Sequence, residues 1–196
     1  GKSRTNGDES RWGKKWFCEM AGRDRTYQAF DLGNWRIIQL DSVQPDPRDP
    51  NGYIGKIDEQ QMAWLDAELA AIPAGRFAMV VSHIPILSMC SVAFERNAKA
   101  DAGRWEVSGG VMHIDAMALH DKFVKSGKVK LCISGHIHKL DRVEFGGVTY
   151  MCNGAVSGAW WKGPRDRCDE GYALLDLFDD GTFSRDYRTY GWKAEA

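Results

Sequence analysis

The feature that most constrains this chain is residues 129–138, where an apolar run of Val129, Leu131, Cys132 and Ile133 stops at Ser134-Gly135 and then presents His136 and His138 one residue apart. A run without polar alternation suits a strand covered on both faces, as in a parallel sheet with helices over it. Gly135 is expected to take backbone angles that a side chain forbids, turning the chain sharply at the strand end. In open α/β sheets ligands collect at that edge. Two imidazoles delivered there each offer one lone pair to a divalent metal while the other ring nitrogen is oriented by a hydrogen-bond partner. Satisfied structural histidines are the competing explanation of the same pair.

A second stretch repeats the pattern. Residues 77–82 form an apolar run that ends on Ser82, followed by His83-Ile84-Pro85. Between the two runs, residues 113–126 carry helical spacing, with Met112, Ala116, Leu119 and Phe123 as the apolar stripe and Gly127 as the C-terminal cap. A helix joining two strands is the crossover that parallel neighbours require. His83, His136 and His138 are therefore expected at one crevice, and as a cluster they favour metal binding over structural burial.

The remaining elements frame these strands. Residues 27–32 and 35–41 read as a hairpin turned by Gly33-Asn34. The proline-rich segment 44–52 is expected to exclude regular structure. Asp58 is a candidate N-cap for a helix with Met62, Leu65, Leu69 and Ile72 at helical spacing, ended by Pro73. After His138, residues 142–145 and 148–151, then 172–178 and 182–190, read as hairpins of an antiparallel meander. Between them lies a glycine-rich stretch with adjacent Trp160 and Trp161, whose side chains are expected to diverge. Residues 1–25 read as a loop-rich lead-in to a short helix, with Trp12, Trp16 and Phe17 as anchors. The loop after Pro85, with Phe94, Trp105 and Gly109-Gly110, is placed to border a pocket.

Composition bounds the function classes. With 26 basic and 27 acidic residues the formal charge is −1, which argues against a bulk electrostatic partner such as duplex nucleic acid or an anionic membrane surface. The 196 residues fit a single unit, contain no apolar run of membrane-spanning length and show no signal peptide, leaving localisation open to whatever precedes Gly1. Five cysteines without C-x-x-C spacing read as free, buried thiols.

The order Gly52-Tyr53-Ile54-Gly55, an amphipathic helix, an apolar strand into Ser82-His83-Ile84-Pro85, and then Ser134-Gly135-His136-Ile137-His138 resembles the C-terminal half of the calcineurin-like metallophosphoesterases. The resemblance implies an α/β fold, the C-terminal part of an αββα sandwich whose mixed sheet has crossover helices and then an antiparallel meander. It also implies hydrolysis of a phosphomonoester or phosphodiester at two di- or trivalent metal ions of the manganese, iron or zinc class. Two such ions, about 3.5 to 4 Å apart, activate water and neutralise charge on attacking and leaving oxygens. By matching motifs, His83 and His136 would ligate the second metal and His138 the first. The family's D-x-H, G-D-x-x and G-N-H-D/E motifs are absent. Gly7-Asp8 lacks a strand before it, and Gly33-Asn34 is followed by Trp35. The expectation is therefore a chain complete only with a missing N-terminal half or a self-associated copy, with doubtful metal occupancy, no catalytic residue of its own and little activity alone. A non-catalytic binding or structural module that retains half of the fold is the alternative. A different histidine-based metallohydrolase is disfavoured, because H-x-H-x-D-H and H-E-x-x-H are absent.

Other residues carry weaker expectations. His113 and His120 read as core-facing or solvated, His113 being the better candidate for substrate contact. Trp160 and Trp161 are substrate-binding candidates for which packing is the competing role. Asp141 is a candidate partner of a ligating histidine, or else a surface carboxylate. Lys14-Lys15 and the lysines of residues 122–130 read as solvated faces.

Overall fold

The computed structural model describes residues 13–93, 99–101 and 103–194. Trp12, Phe94 and the Gly7-Asp8 string lie outside them. In chain order the elements are α1 (Gly13–Ala21), β1 (Gln28–Leu32), β2 (Trp35–Gln39), β3 (Val43–Pro45), β4 (Tyr53–Gly55), α2 (Glu59–Ala71), β5 (Phe77–Val81), α3 (Met89–Ala93), β6 (Lys99–Asp101), β7 (Arg104–Glu106), α4 (Ala116–Ser126), β8 (Val129–Ser134), β9 (Leu140–Phe145), β10 (Val148–Asn153), β11 (Gly171–Leu177) and β12 (Phe183–Thr189). Six strands form the main sheet in the order β1-β2-β5-β8-β10-β9. Its centre is parallel, from β2 through β5 and β8 to β10, and its edge strands β1 and β9 run antiparallel. The fold is thus mixed α/β, with a mostly parallel sheet.

The period-2 geometry of strands sorts the side chains into two cores. Ile38, Val80, Cys132 and Tyr150 point to one face, where they meet Leu65 and Leu69 of α2 and Leu119 and Phe123 of α4. Full burial of a side chain such as Phe123 or Leu65 contributes roughly 1.5–3 kcal/mol, so this layer is the main adhesive of the fold. Trp35, Ile37, Met79, Leu131 and Met151 point to the other face, against Leu175, Leu177 and Phe183 of the β11–β12 ribbon. Trp35 Nε1 donates to Phe178 O at 2.8 Å, which ties the ribbon's turn to the sheet. The described layers are therefore helices, main sheet and second ribbon. Asp58 caps α2 by accepting from the Gln61 amide, and Gly127 ends α4 with a left-handed φ of 64°.

Five expectations change. Segment 44–52 is not wholly irregular: Pro45 lies in β3, opposite Tyr53 of β4. A two-stranded ribbon has a free edge, and proline's missing N–H is tolerated there. The helix expected from residue 113 begins at Ala116, because the His113 amide donates to Pro85 O and that of Ile114 to Gly55 O, long-range bonds that replace the first helical turn. The C-terminal third is not one meander. Residues 148–152 of β10 are buried on both faces, so β10 inserts between β8 and β9 as an inner strand, while β11 and β12 form a separate ribbon. Trp16 and Phe17 are each 45% exposed and α1 buries no residue, so they do not anchor the lead-in. The helix is instead held by Lys14, which pairs with Asp41 at 2.8 Å and donates to Val43 O; Lys14 is thus not merely solvated.

Candidate metal and phosphoester site

The parallel pairing of β5 with β8 brings the two histidine-bearing strand ends side by side. His83 follows β5, and its amide and that of Ile84 both donate to Ser42 Oγ, at 3.0 and 3.2 Å. His83 O accepts from the Gly135 amide, at 3.1 Å, stitching the two ends together. The sharp turn is not made by Gly135, which is not among the residues with positive φ. It is made by His136 and His138, with φ of 66° and 57°. The Ile137 amide donates to Gly135 O at 2.8 Å, closing a three-residue turn around His136. A β-carbon in left-handed backbone costs roughly 1–2 kcal/mol, and such strain concentrates where side-chain direction matters.

The ring nitrogens then fall into defined roles. His136 Nε2 lies 2.8 Å from Gly110 O and His138 Nδ1 lies 2.5 Å from Gly158 O. A carbonyl only accepts, so those two nitrogens carry the protons, leaving lone pairs on His136 Nδ1 and His138 Nε2. His136 Nδ1 is 3.1 Å from His83 Nε2. Two nitrogens at that separation, each about 2.05 Å from one ion, subtend roughly 98° at it, between octahedral and tetrahedral angles. The pair therefore fits two adjacent positions of one metal ion. Burial, and to a lesser degree the nearby His138 imidazole, push the His83 pKa down, which favours the neutral form of the ring. Among the described residues, no group of three or more His, Cys, Asp or Glu side chains is placed to hold one metal ion.

Ser42 and Gly158 were not singled out from the sequence, and Gly110 only as part of a loop bordering a pocket; the two glycines act through their carbonyls. Backbone acceptors leave no side-chain signature. Tyr53 lies within the Gly52-Tyr53-Ile54-Gly55 string, and its hydroxyl is 3.5 Å from His136 Nε2. Beside His83 a cleft of about 570 Å³ opens along the strand ends, lined by Gln39, Val81, Ile133, Ser134 and Asn153. It lies over the end of the sheet face whose other end the β11–β12 ribbon covers.

The weaker candidates disperse. His113 is 2% exposed, with Nε2 3.2 Å from Ser82 Oγ and Nδ1 2.9 Å from Asp115 Oδ1, so both nitrogens are engaged inside the protein. Burial pushes the Asp115 pKa up, but hydrogen bonds from His113 and the Ile57 amide and the charge of His113 outweigh it, and the net shift is downward. His120 is buried against Phe145 and bonded to Tyr150 OH. Asp141 does not orient a ligating histidine; its Oδ2 accepts from Ser88 Oγ and the Cys90 amide, fastening α3 to β9. Trp160 and Trp161 diverge as expected. The Trp160 ring centroid lies 4.9 Å from that of His138, and Trp161 packs edge-on against Trp192; they remain 58% and 56% exposed.

No protein-family model and no curated protein sequence matches the chain. Among solved structures, a dimetal phosphatase from Danio rerio matches with a TM-score of 0.55 and 16% sequence identity, over 86% of this chain and 59% of that one. The likeness establishes the fold: this mostly parallel sheet with antiparallel edges is that of a dimetal phosphatase neighbour. The chain spans about three-fifths of that protein's matched structure.

Proposed function

We propose that the chain is the histidine-bearing part of a calcineurin-like, dinuclear metallophosphoesterase that hydrolyses a phosphomonoester or phosphodiester. The observation that carries this is the His83 Nε2–His136 Nδ1 separation of 3.1 Å at the ends of neighbouring parallel strands, with His136 and His138 held in opposite tautomers by backbone carbonyls. The structural likeness to a dimetal phosphatase supports it. His83 and His136 would hold one ion and His138, through Nε2, the other. When bound, such ions supply Lewis acidity toward the phosphoryl oxygens and lower the pKa of water. The chain's own residues keep the ligands in place: Ser42 fixes the backbone at His83, Gly110 O and Gly158 O fix the two tautomers, and the Trp160 ring lies against His138. Carboxylate ligands and a group assisting the leaving oxygen would come from a further polypeptide segment, so the chain alone is expected to be nearly inactive. The identity of the metals, from the manganese, iron or zinc class, belongs to the same proposal.

A second reading, a non-catalytic module that keeps this half of the fold, is favoured by one observation: no three ligating side chains converge among the described residues. Manganese and zinc titrations by calorimetry, with hydrolysis of p-nitrophenyl phosphate and its diester, decide between them. Weak binding that disappears in both His83→Ala and His136→Ala, with turnover appearing once a ligand-bearing segment is supplied, is the expected result. Metal binding untouched by the two substitutions sinks the site assignment. Binding that depends on them without turnover in any complemented form favours the module.

A further inference from the structure

Gly135 keeps backbone angles open to any residue, so the turn does not explain a glycine there. Its place between two strands does. Cys152 of β10 stands opposite Ser134, which sets Asn153 level with Gly135 on one side, while His83 O accepts from the Gly135 amide on the other. Ile133 and Met151 face the β11–β12 ribbon, and two residues further along their strands Gly135 and Asn153 face the same way. His83, Gly135 and Asn153 all line the cleft of about 570 Å³. Neighbouring strands are about 4.8 Å apart, so the backbones that carry His83 and Asn153 stand roughly 9.6 Å apart. A β-carbon on Gly135 would meet nothing within 4 Å, so the floor of that interval is open.

Asn153 supplies donors to it. Arg185 Nη1 lies 3.4 Å from Asn153 Oδ1, and 3.2 and 3.3 Å from Asp141 O and Cys152 O. A guanidinium only donates, so it turns the amide oxygen toward itself and leaves Nδ2 with two N–H donors. Among the described residues no acceptor engages Nδ2, and it is not one of the sealed, unpartnered atoms, so solvent in the cleft reaches it. The hydroxyls of Thr26, Ser82 and Ser134 donate instead within the protein, to Asp41, Ile84 O and Met151 O. No carboxylate lines the cleft among the described residues.

We propose that the interval above Gly135 is a phosphoryl slot: Asn153 Nδ2 donates to a phosphoryl oxygen of the ester, Arg185 holds and polarises the amide, and the absent side chain of Gly135 leaves room for the tetrahedral group beside His83. The inference rests on the phosphoesterase reading of the histidine site and names further groups of this chain that bind and position its substrate. An oxyanion is favoured over a neutral ligand, because N–H donors bond a charged acceptor more strongly and no lining carboxylate repels it.

The test uses the zinc-loaded full chain with inorganic phosphate and acetate as probes, read by calorimetry and by the side-chain NH₂ signals of Asn153 in heteronuclear NMR. Phosphate should bind saturably and shift those signals, with acetate about tenfold weaker or more. Asn153→Asp keeps an oxygen for Arg185 and replaces the donors by an acceptor, so it should weaken phosphate by about tenfold or more. Gly135→Val should weaken it as much by filling the slot. Its melting temperature should be no lower than the parent's, since the new side chain enters open space at ordinary backbone angles, and its zinc uptake should be unchanged. Zinc uptake that survives His83→Ala and His136→Ala sinks the phosphoesterase reading and this inference with it. Zinc uptake that depends on those histidines, beside a phosphate affinity untouched by Asn153→Asp or Gly135→Val, overturns the slot alone. So does phosphate binding that is not saturable or leaves the Asn153 signals unmoved. Acetate bound as tightly as phosphate also overturns the phosphoryl assignment, in favour of a carboxylate from a further segment. A Gly135→Val protein that loses zinc or melts below the parent overturns it too, because Gly135 would then serve the packing of the strand ends.

Discussion

Gly158 connects the candidate metal site to the loop behind it, and replacing it tests how His138 is held. Its φ is 49°, and a β-carbon there would lie 2.6 Å from Gly163 O and 2.9 Å from Glu170 Cγ and Oε1. Left-handed backbone costs a non-glycine residue roughly 1–2 kcal/mol. The contact with a backbone oxygen cannot be relieved by a side-chain rotamer, and overpacking of this kind adds roughly 1–3 kcal/mol. Gly158→Ala is thus expected to lose about 3 kcal/mol, which for a chain of this size lowers Tm by about 9 °C. The loop must also shift, and with it the carbonyl that accepts from His138 Nδ1. Gly127→Ala is the matched control: φ is 64° there too, but nothing lies within 4 Å of the new β-carbon, so only the backbone cost of roughly 1–2 kcal/mol applies. Thermal unfolding by circular dichroism reads the stability, and long-range proton–nitrogen NMR spectra of the imidazoles read the tautomer. Gly158→Ala should lose more stability than Gly127→Ala, and it alone should give His138 a mixture of tautomers. Equal losses in the two variants, or a His138 that keeps its proton on Nδ1 when Gly158 is replaced, would refute the assignment of the carbonyl as the group that fixes the ring.

Two further outcomes are expected. Cys132 and Cys152 are buried, and burial pushes the Cys132 thiol well up and that of Cys152 to about 11; Cys168 is buried as well, whereas Cys18 and Cys90 are half-buried. Ellman's reagent should therefore titrate Cys18 and Cys90 in the native protein and the other three only on unfolding, and prompt native reaction of Cys132 would contradict the packing of the central sheet. Asp115 has a pKa below its ordinary value, so its contribution to stability is present above the unfolded value of 3.8 and is lost as the pH falls through the lower folded one. Asp115→Asn should cost about 1–3 kcal/mol at neutral pH by leaving His113 and the Ile57 amide poorly paired, and should flatten the acid limb of the stability profile; an unchanged limb in urea unfolding followed from neutral to acid pH counts against the Asp115 network.

The sequence alone carried the elements that depend on local chemistry. The apolar runs into His83 and His136, the Asp58 cap and the Gly127 stop are all legible because each rests on side-chain type at a fixed spacing, and the pairing of β5 with β8 follows from the crossover rule. The approach of His83 to His136 follows in turn. What the sequence could not supply are groups without a side-chain signature. The carbonyls of Gly110 and Gly158 set the tautomers, and they come from loops 26 and 20 residues away from the histidines they meet. Likewise, β10 is an inner strand because both of its faces are covered, a fact set by neighbours rather than by its own residues. The turn at residues 135–138 shows the division most clearly. Local propensity assigns the unusual backbone angles to Gly135, while long-range hydrogen bonds place them on His136 and His138, because the tertiary contacts made by those two rings outweigh the local cost of a left-handed residue.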